Sequence, residues 1–222
     1  MRRTTAVLLA AGAGTRLGRG PKALLPYRGT TLMAHLAAQL LQGGCQEVVV
    51  VIGAGAGLVR THPLPPGTRT VENPRWAEGM GGSFALGVAS AGAGGPRAAG
   101  PNGAANVLVA LVDQPGVDAL LVARLLAAHR QGRIAAAGYS APRNGAPQGG
   151  TPNKGALRRG HPVVFDARLA LEAAALATGD AGAREFLKMN PELVDLVDCS
   201  DLDDGADLDT PAQLYLLERD PH

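Results

Sequence analysis

The sequence predicts a three-layer α/β/α fold, a mostly parallel twisted sheet of about seven strands with helices on both faces. Three observations lead there. Short Val/Leu/Ala runs alternate with longer Ala/Leu segments along the chain. The clearest short runs are apolar at almost every position, as parallel strands covered on both faces require. Aromatics are only 3% of the 222 residues, so the core consists of small side chains that let helices lie close on a sheet.

The elements follow in order. Residues 5–9 form a first strand. After a loop to Gly29, Thr31 caps a helix running to Leu41, and Gly43 and Gly44 stop it. Strands are expected at 47–52, 68–72, 106–112, 134–138, 162–165 and 193–197. Helices are expected at 83–91, 118–131, 167–177 and 211–219. The stretches 92–105 and 140–160 are rich in Gly, Pro, Ala and Asn. They read as mobile loops near the open face of one domain spanning 1–222.

Composition excludes several classes. The net charge is +2 and no basic run exceeds two residues, so no nucleic-acid footprint is present. No apolar stretch approaches the roughly 20 residues of a membrane span. Cys45 and Cys199 have neither metal-ligand spacing nor a disulfide framework, and a reduced cytoplasm is the expected compartment. The N-terminus reads as a strand, not a signal peptide. Charge is nevertheless uneven. Arg2, Arg3, Arg16, Arg19, Lys22 and Arg28 have no acid among them, whereas eight acids and no base lie between Glu192 and Asp209.

The chemistry starts straight after the first strand, with Leu9, Ala10, Ala11, Gly12, Ala13, Gly14, Thr15, Arg16, Leu17 and Gly18, then Pro21 and Lys22. Glycines permit positive φ and close approach, and consecutive N–H groups in such a turn converge on anionic oxygens. Arg16 adds a planar fork of donors and Lys22 a compact point charge. A Walker loop is excluded, because Lys22 is followed by Ala23 and not by Ser or Thr. A dinucleotide fingerprint is excluded too, because the third glycine falls one residue late and the second strand ends without an acid. The later Gly53, Gly55 and Gly57 read as a plain turn.

These residues, with the Pro21-Lys22-Ala23-Leu24-Leu25-Pro26 continuation, resemble the signature of the MobA-like NTP transferases, nucleotidyltransferases on a Rossmann-like domain of the nucleotide-diphospho-sugar transferase type. The resemblance implies that the loop wraps a triphosphate and that Lys22 neutralises it. Asn73-Pro-Arg-Trp-Ala-Glu-Gly-Met80-Gly-Gly-Ser83 is similar to a segment of the molybdenum cofactor cytidylyltransferase branch. That likeness implies nucleobase contacts from Gly79, Met80, Gly82 and Ser83. Leu111-Val-Asp113-Gln-Pro115 looks like the family's metal-binding G-D-Q-P, with Val112 in place of the glycine. Mg²⁺ takes one or two carboxylates plus substrate phosphates.

Further on, Gly160-His161-Pro162 and Gly179-Asp180-Ala-Gly-Ala-Arg184 resemble branch segments that imply acceptor-side roles for His161, Asp180 and Arg184. Asp207-Leu-Asp209-Thr-Pro211 matches a D-L-D-T-P ending in which Asp209 is either a second metal ligand or a helix cap. The implied activity is Mg²⁺-dependent transfer of CMP from CTP to a molybdopterin-type cofactor, with Arg16, Lys22 and Asp113 carrying the chemistry. CTP is preferred to GTP because Ala10-Ala11-Gly12 stands where the guanylyl branch has A-G-G. Guanylyl transfer to the same cofactor and nucleotidyl transfer to a sugar phosphate or another phosphorylated metabolite remain alternatives. So does a non-catalytic nucleotide-binding protein that delivers cofactor to a recipient molybdoenzyme or its chaperone.

Overall fold

A computed structural model describes residues 3–92, 105–140 and 157–218. Strand β1, Thr4–Ala10, is buried along its whole length. A two-residue hairpin, β2 (Pro26–Tyr27) and β3 (Thr30–Thr31), leads into helix α1, Leu32–Gln42. The Thr31 hydroxyl caps α1 by accepting from Ala34 N–H at 3.2 Å, and Gly43 ends it. Strand β4 (Glu47–Ile52), the one-turn helix α2 (Ala56–Val59) and strand β5 (Thr68–Glu72) follow. Gly53 and Gly55 form an isolated bridge before α2, so the turn read at 53–57 holds only to Gly55, and Ala56 and Gly57 already belong to α2.

Helix α3, Met80–Ser90, starts three residues earlier than the sequence indicated. Glycine is a poor helix former, so Gly81 and Gly82 masked its first turn. The glycines suit packing instead. A Cβ on Gly87 would run into Val7 and stand 3.0 Å from Val51, so its absence seats α3 directly on the sheet. Strand β6 is Asn106–Leu111. Helix α4, Ala119–Ala128, is capped by Asp118, whose carboxylate accepts from Leu121 N–H at 2.8 Å. It ends before the expected 131 because His129 turns extended.

Strand β7 (Ile134–Tyr139) is followed by β8 (Arg158–Asp166), which reaches further back than 162 and absorbs residues 158–160 of the expected loop. Residues 93–104 and 141–156 of the two loop expectations lie outside the described residues. Helix α5 is Ala167–Leu176 and α6 is Arg184–Met189, a short helix that the sequence reading passed over. Strand β9, Val194–Asp198, and a 3-10 helix, Pro211–Leu217, complete the order.

The seven-stranded sheet runs β5-β4-β1-β6-β8-β7-β9. Its pairs are parallel except those of β8, which runs antiparallel to β6 and β7. Alternation along the strands divides the core. Ala6, Leu8, Val48, Val50, Leu108 and Ala110 pack towards α1 and α4. Val7, Leu9, Val51, Val107 and Val109 pack towards α3, α5 and α6. Register then fixes the site, because Leu9 is level with Val51 on one side and Leu111 on the other. The segments leaving β1, β4 and β6 therefore emerge together at the carboxyl edge, where α/β folds bind ligands.

Asp195 ties the far edge strand to the α4–β7 turn. Arg133 holds it through two hydrogen bonds of 2.6 Å, and Arg130 is a second partner at 2.9 and 3.0 Å. Hydrogen bonding to Arg133 draws its pKa down to about 2, against the small opposing effect of burial, with Arg130 assisting. A carboxyl depressed on folding adds stability above its ordinary value of about 3.9 and loses it as pH falls towards the folded value. In urea unfolding, Asp195→Asn is therefore expected to be less stable than the parent at pH 6. The difference should close between about pH 4 and pH 2 and shrink with added salt.

Candidate functional site

The turn after β1 is built around Gly14. Its φ is +65° and a Cβ there would strike the Gly20 carbonyl, so a side chain is excluded on both counts. Leu17 N–H donates to Gly14 O at 3.1 Å, folding the turn back on itself. Val112 N–H donates to Leu9 O at 3.0 Å and Ala54 N–H to Ala11 O at 2.9 Å. Those bonds stitch the turn to the segments leaving β6 and β4. Arg16 is exposed, whereas Lys22 begins a 3-10 helix and turns inward.

A cavity of about 460 Å³ opens at this edge. Leu9, Ala11, Gly12, Gly14, Thr15, Arg16 and Lys22 line one side. Gly79, Met80, Ser83, Trp76 and Ala77 line another, and Val112, Asp113, Asp180 and Asp209 complete the wall. The structure thus brings together most of the residues singled out in the sequence. Five stand apart. Ala10 belongs to the core on the α1 side. Ala13 and Gly82 are not among the lining residues, and the space over Gly82 faces the Asn73 amide. His161 lines a neighbouring void of about 20 Å³ that shares Leu9 and Met80 with the main cavity. Arg184 starts α6 as an exposed side chain and reaches His161 by charge alone.

Lys22 and the two carboxylates form the electrostatic centre. Lys22 Nζ donates to Asp113 Oδ2 at 3.0 Å and also to Asp209 Oδ1. Burial works to lower the Lys22 pKa, but Asp113 and Asp209 together reverse this and hold it above its ordinary value. Burial pushes Asp113 up, Lys22 offsets part of that, and Asp207 and Asp209 push it further up. Asp113 Oδ1 is buried and has no hydrogen-bond partner among the described residues. An orphaned carboxylate oxygen costs about 1–3 kcal/mol or more, so it points to a missing ligand. Asp113 and Asp209 fit a hard divalent cation that also takes phosphate oxygens.

The capping alternative for Asp209 does not hold. Its carboxylate goes to Lys22, while Thr210 is the N-cap of the 3-10 helix. Gln213 Oε1 accepts from Asp209 N–H at 3.0 Å and from Thr210 N–H at 2.9 Å, so a glutamine satisfies that terminus. His161 is held neutral. Burial, then Arg159 and Arg184, bring its pKa down to about 4, which leaves it uncharged at neutral pH.

Residues 6–196 match the MobA-like NTP transferase domain. The chain belongs to this family. Within it, the chain is 50% identical to nicotine blue oxidoreductase of Paenarthrobacter nicotinovorans, over 96% of this chain and 95% of that protein. That relative is not named as a molybdenum cofactor cytidylyltransferase, so the branch implied by the sequence motifs is narrower than the family match. Rv0371c of Mycobacterium tuberculosis superposes with a TM-score of 0.74 at 26% identity, covering 98% of this chain and 99% of that one. A further structure of Rv0371c is a complex with manganese. The 2-C-methyl-D-erythritol 4-phosphate cytidylyltransferase of Thermus thermophilus superposes with a TM-score of 0.66 at 25% identity, over 98% of each chain. The seven-stranded, mostly parallel sheet is that of the Rossmann-like nucleotidyltransferases.

Three side chains of this MobA-like site were not singled out in the sequence. Gln114 is buried and its amide donates to Asp207 Oδ1 at 2.8 Å, while Leu208 N–H donates to Asp113 O at 2.7 Å. Together they lay the 207–209 segment against Asp113. Asn73 donates to the Ser83 hydroxyl at 3.0 Å, so buried Ser83 shapes the wall with that oxygen already engaged. Gly79 has φ +113°, and a Cβ there would overlap the Gly179 backbone and approach Asp180 Oδ1 to 2.8 Å. Gly81 N–H donates to Gly179 O at 2.7 Å beside it. Gly79→Ala is expected to part these two walls. The Gly79 ψ of 176° puts it in a region that essentially only glycine adopts, and a side chain there costs about 1–3 kcal/mol. The check is a lower melting temperature together with nucleotide affinity reduced by roughly tenfold, a loss equivalent to about 1.4 kcal/mol.

Proposed function

We propose that this MobA-like protein transfers CMP from CTP to a molybdopterin-type cofactor and releases pyrophosphate. The observation that carries the reading is the shared cavity in which the Gly12–Arg16 turn faces Lys22, Asp113 and Asp209. An oxygen of the acceptor's phosphate attacks the α-phosphorus. The bond from that phosphorus to the bridging oxygen breaks, and pyrophosphate leaves with the electron pair. Transfer of this kind depends on positioning and charge stabilisation, so the protein needs no nucleophile of its own.

The N–H groups of the turn, Arg16 and Lys22 hold the β- and γ-phosphates. Mg²⁺, held by Asp113 and Asp209, supplies charge neutralisation on the triphosphate when bound. Gly79, Met80 and Ser83 form the wall on the nucleobase side, and Asp180 faces the acceptor, with His161 and Arg184 set apart from the cavity. Ala10-Ala11-Gly12 supports CTP over GTP, as does the likeness to a cytidylyltransferase. A cytoplasmic location accords with these substrates, and no helix among the described residues is long and apolar enough to cross a membrane.

The test is pyrophosphate release with each nucleoside triphosphate, Mg²⁺ and molybdopterin. Release with CTP that requires the acceptor supports the reading. Release that needs only a sugar phosphate would replace the acceptor, and release with GTP alone would replace the base.

One observation favours a second reading, namely the 50% identity to nicotine blue oxidoreductase over nearly the whole of both chains. Cys45 and Cys199 are buried, and burial raises their thiols to about 12 and about 11, so neither is poised for redox chemistry. Reduction would therefore draw on an external electron donor, one bound without the dinucleotide fingerprint that this turn lacks. Bleaching of nicotine blue by NADH or NADPH with this protein, without pyrophosphate release from any triphosphate, would establish that reading over the first.

A further inference from the structure

Lys22 has two possible counterparts in its cavity. One is the triphosphate of the reading above, on which this inference rests. The other is present in the structure already. The ammonium lies 3.0 Å from Asp113 Oδ2 and is also bonded to Asp209 Oδ1, with its side chain only 12% exposed. A point charge enclosed by two carboxylates stands where a cation shared by those carboxylates would stand. Asp113 meanwhile keeps Oδ1 buried and without a partner among the described residues, so the ammonium satisfies only half of that carboxylate.

We propose that Lys22 is the internal counter-ion of the resting site, and that it makes divalent cation and triphosphate bind as a coupled pair. While Lys22 offsets one of the two negative charges of Asp113 and Asp209 and occupies one oxygen of each, a divalent cation alone meets a site of reduced charge. A triphosphate on the Gly12–Arg16 turn offers the ammonium a more highly charged partner within the same cavity. Lys22 then leaves the carboxylates, and both become available to the cation. Coupling of this kind is reciprocal, so the cation raises triphosphate affinity by the same factor.

Mn²⁺ binding measured from the free-ion electron paramagnetic resonance signal, without nucleotide, tests the proposal. Lys22→Met is expected to bind Mn²⁺ roughly tenfold more tightly than the parent, within the usual range of coupling between sites. Lys22→Arg, which keeps the charge, should stay close to the parent. Equal Mn²⁺ affinity in the parent and Lys22→Met would overturn the proposal. If Lys22→Met does not fold, the parent itself decides, through the lysine ¹⁵Nζ resonance. Mg²⁺ alone should leave the Lys22 signal in place, and Mg²⁺ with tripolyphosphate should move it. A shift with Mg²⁺ alone would overturn the proposal. None of these measurements requires turnover, so absence of pyrophosphate release would count against the transferase reading while leaving this result intact.

Discussion

Asp113→Asn is expected to fold, to melt no lower than the parent, and to lose at least ~100-fold in turnover, the scale of removing one electrostatic contact to a transition state. The two halves have one cause. Burial raises the Asp113 pKa, and Asp207 and Asp209 add to the rise against the relief given by Lys22. A carboxyl with a folded pKa above its unfolded one binds its proton more tightly in the native state. The resulting stabilisation is complete at low pH and is lost as pH rises past that value, so at neutral pH the charge is a net cost. An amide of the same shape removes this cost. It also leaves Lys22 bonded to Asp209, so no buried cation is stranded. What the amide cannot do is offer two anionic oxygens to a cation. Thermal melting and pyrophosphate release on one preparation check both halves. Retained turnover would remove Asp113 from the chemistry, and a large fall in melting temperature would make its carboxylate structural.

Much of the site was legible because it is topological. A turn after one parallel strand and an acid after another must share the carboxyl edge when the strands are neighbours, and β1 and β6 are neighbours. Lys22 and Asp113 therefore meet although they are 91 residues apart. Asp209 was ambiguous for a physical reason. Asp-Thr-Pro suits both a helix start and a ligand, and only the tertiary partners, Lys22 on the carboxylate and the Gln213 amide on the terminus, separate the two. Gln114 and Asp207 could not be read, because a hydrogen bond across 93 residues leaves no local pattern. The early start of α3 was hidden by glycines that weaken helix propensity. Gly79 and Gly87 are instead fixed by tertiary approach, to the Gly179 backbone and to Val7.

Lys22→Ala is expected to lower kcat/KM for the triphosphate by ~100-fold, about 2.7 kcal/mol of transition-state stabilisation. The loss should fall on both kcat and KM, because the ammonium meets phosphate in the ground state and again as charge moves to the leaving pyrophosphate. The pH profile of the parent carries the same signature. Asp113 and Asp209 hold Lys22 above its ordinary pKa, so it stays charged throughout the neutral range and activity should not decline on its account until pH exceeds about 10.4. Asp113 is raised, so the acid limb of kcat/KM should lie above the ordinary carboxylate value of about 3.9. Lys22→Ala removes the group that keeps Asp113 ionised and should move that limb to higher pH still. An acid limb that does not move would show that Lys22 acts on the phosphates alone and leaves the carboxylates to themselves.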